Sequence, residues 1–230
     1  MKIALFSDIH ANLPAFESFL KDLDKRKPDM VYCLGDLIGY NVWPNEIIEE
    51  IRKRCIATIA GNHDLKTEGD PYELVSAENR QYLNTLPTQI RLDFQLNNKK
   101  LNIVLAHGST KSINEYVLED FEETYIKNMM IEANADILCI GHSHKPFYRK
   151  IETGGISNLV VNIGSVGKPK DGNPFGCYAI LSINEESTIT NNEDVHVDFI
   201  RFDYDIERAA KAIENSSLPN ELIDRLKKAY

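Results

Sequence analysis

The chain has 230 residues, with 35 Asp and Glu against 26 Lys and Arg and a formal net charge of −9. This balance argues against a general nucleic-acid-binding surface, which needs a basic patch. It leaves room for a small phosphate-bearing substrate, because bound cations reverse the field locally.

The length places the chain near the top of the single-domain range, with roughly 70–75% of the unfolded surface buried. We therefore expect one domain over residues 1–230, closed by C-terminal helices at about 205–230. No apolar stretch approaches the ~20 residues that span a bilayer. The start reads directly into a strand without a signal peptide. Cys33, Cys55, Cys139 and Cys177 form no CxxC pair and lie in or beside apolar runs. Buried thiols in strands and a cytoplasmic location are the expectation.

In chain order, the apolar run Ile3–Phe6 leads to a helix from about Pro14 to Arg26, with Phe16, Phe19, Leu20 and Leu23 on one face. A strand at Met30–Leu34 follows, then a helix at Pro44–Lys53 with Ile47, Ile48 and Ile51 inward, then a strand at Ile56–Ala60. This β-α-β-α-β order predicts parallel strands with crossover helices. Glu73–Leu86 reads as a helix stopped by Pro87, and Gln89–Leu96 and Lys100–Ala106 as a hairpin turning at Asn97-Asn98. A helix at about Leu118–Ala133 opens on an acidic stretch, Glu119 to Glu123, that suits a first helical turn. Strands follow at Asp136–Ile140, Phe147–Ile151, Leu159–Ile163, Cys177–Ile183 and Val195–Phe202, and the tail is helical. An α/β fold of two packed mixed β-sheets flanked by helices accommodates this order.

The chemistry sits where apolar runs end. These places hold Asp8-Ile9-His10, Gly35-Asp36, Gly61-Asn62-His63-Asp64, His107-Gly108 and Gly141-His142-Ser143-His144. Ligands collect at the ends of strands in α/β sheets because several segments converge there. Asp8 and His10, like His142 and His144, are two residues apart, which in an extended chain points both side chains the same way. Carboxylate, imidazole and amide oxygen together suit Mn²⁺, Fe²⁺ or Zn²⁺ better than Ca²⁺. Asp8, His10, Asp36, Asn62, His107, His142 and His144 are too many for one ion and imply two, with a one-metal hydrolase as the other reading.

This ordered set resembles that of the calcineurin-like metallophosphoesterases, specifically the small bacterial phosphodiesterase-like branch. Asn162–Gly172 and Gly35–Asn45 resemble loops of the same branch. The resemblance implies a four-layer α-β-β-α sandwich. It also implies hydrolysis of a phosphate ester by a hydroxide shared between two divalent ions, manganese favoured over iron, zinc or nickel. Asp8, His10 and His144 would hold one ion, Asn62, His107 and His142 the other, and Asp36 would bridge them. His63 would be the catalytic histidine at the leaving oxygen.

The protein Ser/Thr phosphatase branch reads Gly-Asp-x-x-Asp-Arg-Gly, whereas Gly39 and Tyr40 stand in those places here. The loss of that arginine favours a phosphodiester or nucleotide-type ester, with a phosphomonoester as the alternative and a non-catalytic metal-binding scaffold as a third reading. Whether Asp64 orients His63 or only caps its loop stays open. Asn12, Tyr40 and Lys168 are candidate substrate contacts. Tyr40 could equally pack on the helix beginning near Pro44, and Lys168 and Lys170 could be solvated loop charges. The expected partner is a small phosphate-ester substrate, with no membrane; the oligomeric state is open.

Overall fold

The structure, a computed structural model, describes residues 1–96, 99–153, 156–184 and 195–230. The strand β1 (Lys2–Phe6) is followed by α1 (Leu13–Arg26), β2 (Met30–Cys33), α2 (Pro44–Lys53) and β3 (Ala57–Thr58). Then come α3 (Asp70–Glu73), α4 (Ala77–Leu83), β4 (Gln89–Leu96), β5 (Lys99–Ala106), α5 (Glu123–Glu132) and β6 (Ile137–Ile140). The chain continues with β7 (Phe147–Thr153), β8 (Ile156–Asn162), β9 (Gly176–Ile183), β10 (Val195–Phe202), α6 (Ile206–Glu214) and α7 (Glu221–Lys228).

The strands form two five-stranded sheets, ordered β10-β9-β1-β2-β3 and β4-β5-β6-β8-β7. In the first, β1, β2 and β3 are parallel, and β9 runs antiparallel to both of its neighbours, β1 and β10. In the second, β5, β6 and β8 are parallel while β4 and β7 run against their neighbours. Both are mixed sheets, and parallel strands need the crossovers that the helices supply.

Period-two alternation divides each strand between two interiors. Ile3 and Leu5 of β1, with Ile103 and Leu105 of β5 and Ala179 and Leu181 of β9, fill the space between the sheets. Ala4 and Phe6 point the other way, against Phe16 and Phe19 of α1 and Ile47, Ile48 and Ile51 of α2. Val104, Leu138, Ile140 and Val160 face Ile126, Met129 and Met130 of α5. The layers are helix, sheet, sheet, helix. No described helix is long and apolar enough to cross a membrane.

Several boundaries differ from the sequence expectation. The helix expected over Glu73–Leu86 is shortened to α4, and α3 ends at Glu73 before it, because the Ser76 N–H donates to Asn45 Oδ1 at 2.8 Å and the Ser76 hydroxyl caps Asn79 N. The acidic stretch does not open a helical turn at Leu118. Glu122 is the N-cap, its carboxylate accepting from Thr124 and Tyr125 N, so α5 starts at Glu123. The pairing of β3 is short because Ala60 N turns away to Pro87 O. The turn at Asn97-Asn98 lies outside the described residues, although β4 and β5 pair antiparallel as expected. Cys33, Cys139 and Cys177 are buried, but Cys55 is exposed, at φ 53 in the turn that leaves α2.

Candidate metal centre

Every parallel strand points its C-terminal end to the same edge of the sandwich. Asp8 follows β1, Asp36 follows β2, Asn62 follows β3, His107 follows β5, and His142 and His144 follow β6. The segments are laced together through their backbones. Asp8 N donates to Gly35 O and His10 N to Asp36 O, while Gly141 N donates to His107 O and Gly167 N to Asp8 O.

The ligand pairs converge by a different geometry from the extended one expected. Asp8, His10, Asp36, His142 and His144 all have positive φ, between 51° and 62°. Asp and His enter this left-handed region more readily than most side chains, and such strain persists where surrounding structure over-determines it. His142 and His144 consequently serve different halves of the site. Asp8, His10, Asp36 and His144 offer one group of ligand atoms within 4.8 Å of one another, and Asp36, His107 and His142 offer a second. Asp36 belongs to both. Asn62 joins the second group, its Oδ1 lying 3.2 Å from His107 Nε2.

Hydrogen bonds aim the ligand atoms. His10 Nδ1 bonds Ile38 O at 3.0 Å, His107 Nδ1 bonds Leu34 O at 2.7 Å, and His144 Nδ1 bonds Lys168 O. A carbonyl only accepts, so each Nδ1 carries the proton and each Nε2 presents its lone pair inward. Those Nε2 atoms lie 3.6 Å (His10) and 3.1 Å (His144) from Asp8 Oδ1, and 3.4 Å (His107) from Asp36 Oδ2. Each carboxylate has one oxygen engaged by an amide: Asp8 Oδ2 accepts from His142 N at 3.1 Å, and Asp36 Oδ1 from His63 N at 2.8 Å. The other oxygens, Asp8 Oδ1 and Asp36 Oδ2, and His142 Nε2 are buried with no hydrogen-bond partner. Buried polar atoms are as a rule satisfied, and although Glu115, Ser157, Asn158 and Tyr204 also hold a partnerless atom, only these three lie within the ligand groups, where they fit divalent cations.

The electrostatics agree. Burial opposes ionisation of Asp8, but His144 and His10 outweigh it and hold the carboxyl well below the ordinary range. His107 and His10 do the same for Asp36 against its burial. Burial would lower His107, yet Asp36 beside it pushes it up to about 10. Burial, reinforced by His10, lowers His63 to about 3. Of these two histidines only His107 is held in its charged form by the carboxylates, the balancing work that cations at the same ligands would do.

The remaining expected residues divide. His63 stands beside His10 and Tyr40, with ring centroids 5.0 and 4.8 Å away. Its Nδ1 lies 3.4 Å from Lys66 Nζ, a partner the sequence reading did not identify. Asp64 does not orient it. The Asp64 carboxylate accepts from Asp36, Leu37, Ile38 and Gly61 N, and so ties the Asp36 loop to the Gly61 loop. Burial and the charge of Asp36 push Asp64 up to about 7, against the pull of those amides. Gly61 is where these loops touch, for a Cβ there would collide with Asp36.

Asn12 is not available to a substrate. Its Oδ1 caps α1 at Ala15 N and its Nδ2 donates to Gly167 O at 2.7 Å, both buried. Tyr40 meets His10 edge to face, with ring centroids 4.7 Å apart. Lys168 is no solvated loop charge: it is 3% exposed, with Nζ 4.7 Å from the Tyr40 ring centre. The loop after β8 that carries it packs on the segment that follows β1, where Ser165 Oγ donates to Asp8 O at 2.8 Å. The reading also missed Tyr116, whose ring lies 4.1 Å from that of His142 while the residue stays 51% exposed. A lone tyrosine in a loop carries no periodic or motif signal.

Residues 1–186 match the sequence model of the calcineurin-like phosphoesterase superfamily domain. The uncharacterized protein MJ0912 of Methanocaldococcus jannaschii is 30% identical over 253 residues, spanning 97% of this chain and 96% of that protein. A metallophosphoesterase from Sphaerobacter thermophilus superposes with a TM-score of 0.79 at 26% identity, covering 100% of both chains. The hypothetical protein PH1004 from Pyrococcus horikoshii shares the fold, with a TM-score of 0.78 at 22% identity over 98% of this chain and 97% of that one.

Proposed function

The chain belongs to the calcineurin-like phosphoesterase superfamily, hydrolases of phosphoric esters, and on that premise we propose that it cleaves a phosphodiester with two divalent cations. The observation that carries this is the set of partnerless buried atoms, Asp8 Oδ1, Asp36 Oδ2 and His142 Nε2, within two ligand groups that share Asp36. Asp8, His10 and His144 would hold one cation, and Asn62, His107 and His142 the other, with Asp36 common to both. Manganese is favoured, and iron, zinc or nickel suit the same mixed nitrogen and oxygen ligands. The cations would supply Lewis-acid stabilisation of the phosphoryl oxygens and activate water as the nucleophile.

The chain's own groups set the geometry. Carbonyls of Ile38, Leu34 and Lys168 lock the imidazoles, so no reorganisation is needed when negative charge develops. Lys66 can only donate, which makes His63 Nδ1 the acceptor and leaves the ring proton on Nε2. His63 therefore acts as a neutral hydrogen-bond donor to the leaving oxygen. Gly39 supports the assignment to a branch other than the protein phosphatases. Its φ is +105°, and a Cβ would stand 2.6 Å from His63 Nδ1, so an aspartate partner for His63 has no room there.

The test uses metal-stripped protein, a bis-aryl phosphodiester and an aryl phosphomonoester, each with and without Mn²⁺, beside a count of metal bound per chain. We expect two ions per chain and metal-dependent turnover favouring the diester. A preference for the monoester would reassign the substrate class. Failure to bind metal, with no turnover of either ester, would overturn the proposal.

A further inference from the structure

Lys168 is an ammonium buried at 3% exposure on the wall of the metal centre. Burying a charge without a counter-ion is costly, and the ion pairs of lysines among the described residues involve Lys53, Lys111, Lys227 and Lys228 instead. What Lys168 has is the face of Tyr40, with Nζ 4.7 Å from the ring centre, a cation–π contact that replaces only part of its hydration. The same ring edges against His10, so the ammonium stands one aromatic ring away from the first ligand group.

Two further cations share this rim. Lys170 lies 5.9 Å from the Tyr116 ring, which itself covers His142. Arg225 of α7 adds its positive field at both lysines. The rim faces Asp8, the carboxylate whose field Lys168 and Lys170 both feel. Once cations occupy the ligands, Asp8 and Asp36 are neutralised, and a positive rim is left facing a positive centre. An anion bridging the two relieves it.

We propose that Lys168 and Lys170 form a second anion subsite, which binds a further phosphate on the same molecule whose phosphodiester lies at the metal centre. This rests on the phosphodiesterase reading and narrows it to diesters that carry an additional terminal phosphate. Tyr40 and Tyr116 frame the two ends of the site with aromatic faces, one beside His10 and one beside His142. A substrate with a flat ring between its phosphates, a phosphorylated nucleotide ester, matches that frame.

Binding tests the subsite without depending on turnover. Thymidine 3′,5′-bisphosphate and thymidine 5′-phosphate are titrated calorimetrically into the Mn²⁺-loaded protein. A charge-assisted contact with one phosphate predicts that the bisphosphate binds at least about tenfold tighter. In Lys168→Met, which keeps the volume and removes the charge, the ratio of the two affinities falls towards one. Lys170→Gln, at a half-buried position, shifts the ratio the same way and carries the test if Lys168→Met does not fold. Equal affinity of the wild type for both ligands, or a ratio unchanged in both variants, overturns the subsite. Diester hydrolysis by the wild type is measured in parallel. A bisphosphate preference without hydrolysis would remove the phosphodiesterase reading and keep the anion site.

Discussion

Replacing Asp64 with asparagine separates the two roles that the sequence left open for this residue. In the structure, Asp64 Oδ2 accepts from Asp36 N at 2.7 Å and Gly61 N at 2.9 Å, while Oδ1 accepts from Leu37 N at 2.9 Å and Ile38 N at 3.3 Å. An asparagine has one oxygen, so two buried N–H groups must face its NH₂. The amide nitrogen should turn to the weaker pair, Leu37 and Ile38. Each orphaned donor costs about 1–3 kcal/mol, and loss of repulsion from Asp36 offsets part of that, so about 2–4 kcal/mol is expected. For a protein of this size that lowers the melting temperature by about 5–15 °C. The loop so loosened carries Asp36, so metal binding weakens too. The assay is a thermal melt of metal-free wild type and Asp64→Asn, followed by Mn²⁺ titration of both. A variant that melts with the wild type and binds metal equally well would refute the loop-clamp argument. Unchanged stability combined with a shifted pH profile would restore Asp64 as the partner of His63.

Asp36→Ala removes the ligand common to both groups and should bring metal content from two ions per chain to below one, with loss of turnover; elemental analysis showing full occupancy would contradict the shared role. Gly39→Asp, which restores the residue found in the protein phosphatase branch, should lower kcat about tenfold or more. The new side chain would meet His63 Nδ1, and its backbone would be held at φ +105°. An undiminished kcat would show that the loop yields. Far from the site, Asp22 Oδ2 accepts from Tyr178 OH at 2.6 Å and from Arg26 Nε at 2.7 Å. Burial raises the Asp22 pKa, but these bonds outweigh it and hold the carboxyl below its ordinary value. A depressed carboxyl contributes stability that is present above the unfolded value near 4 and lost as pH falls through the folded one. Asp22→Asn should therefore lower stability at pH 7 and flatten its decline below about pH 4; parallel denaturant melts across pH 2–7 would show otherwise if the two curves keep the same slope.

Much of the centre was legible in the chain because its chemistry is carried by residue identity at strand ends. Apolar runs of the right length predict strands, and a histidine, aspartate or asparagine placed just past five of them has few structural reasons to recur. The alternation of Ile3 and Leu5 with Ala4 and Phe6 likewise encodes two buried faces, hence two layers against β1. What the sequence could not decide was anything set by contacts between distant segments. Glu73–Leu86 has a continuous helical pattern, and the break at Ser76 comes from the side chain of Asn45. The two histidines of Gly141–His144 look alike in sequence. Left-handed turns send one to Asp8 and the other to the Asp36 and His107 group. Asn12, Asp64 and Lys168 sit near ligands in the chain, yet their roles as cap, loop clamp and buried cation depend on which backbone atoms lie opposite them. Residue type and spacing pointed to a cluster of carboxylate, imidazole and amide ligands at the strand ends. Only the packing of the two sheets decided which of them fall into one group and placed Asp36 in both, because that choice is made by distances across the cleft.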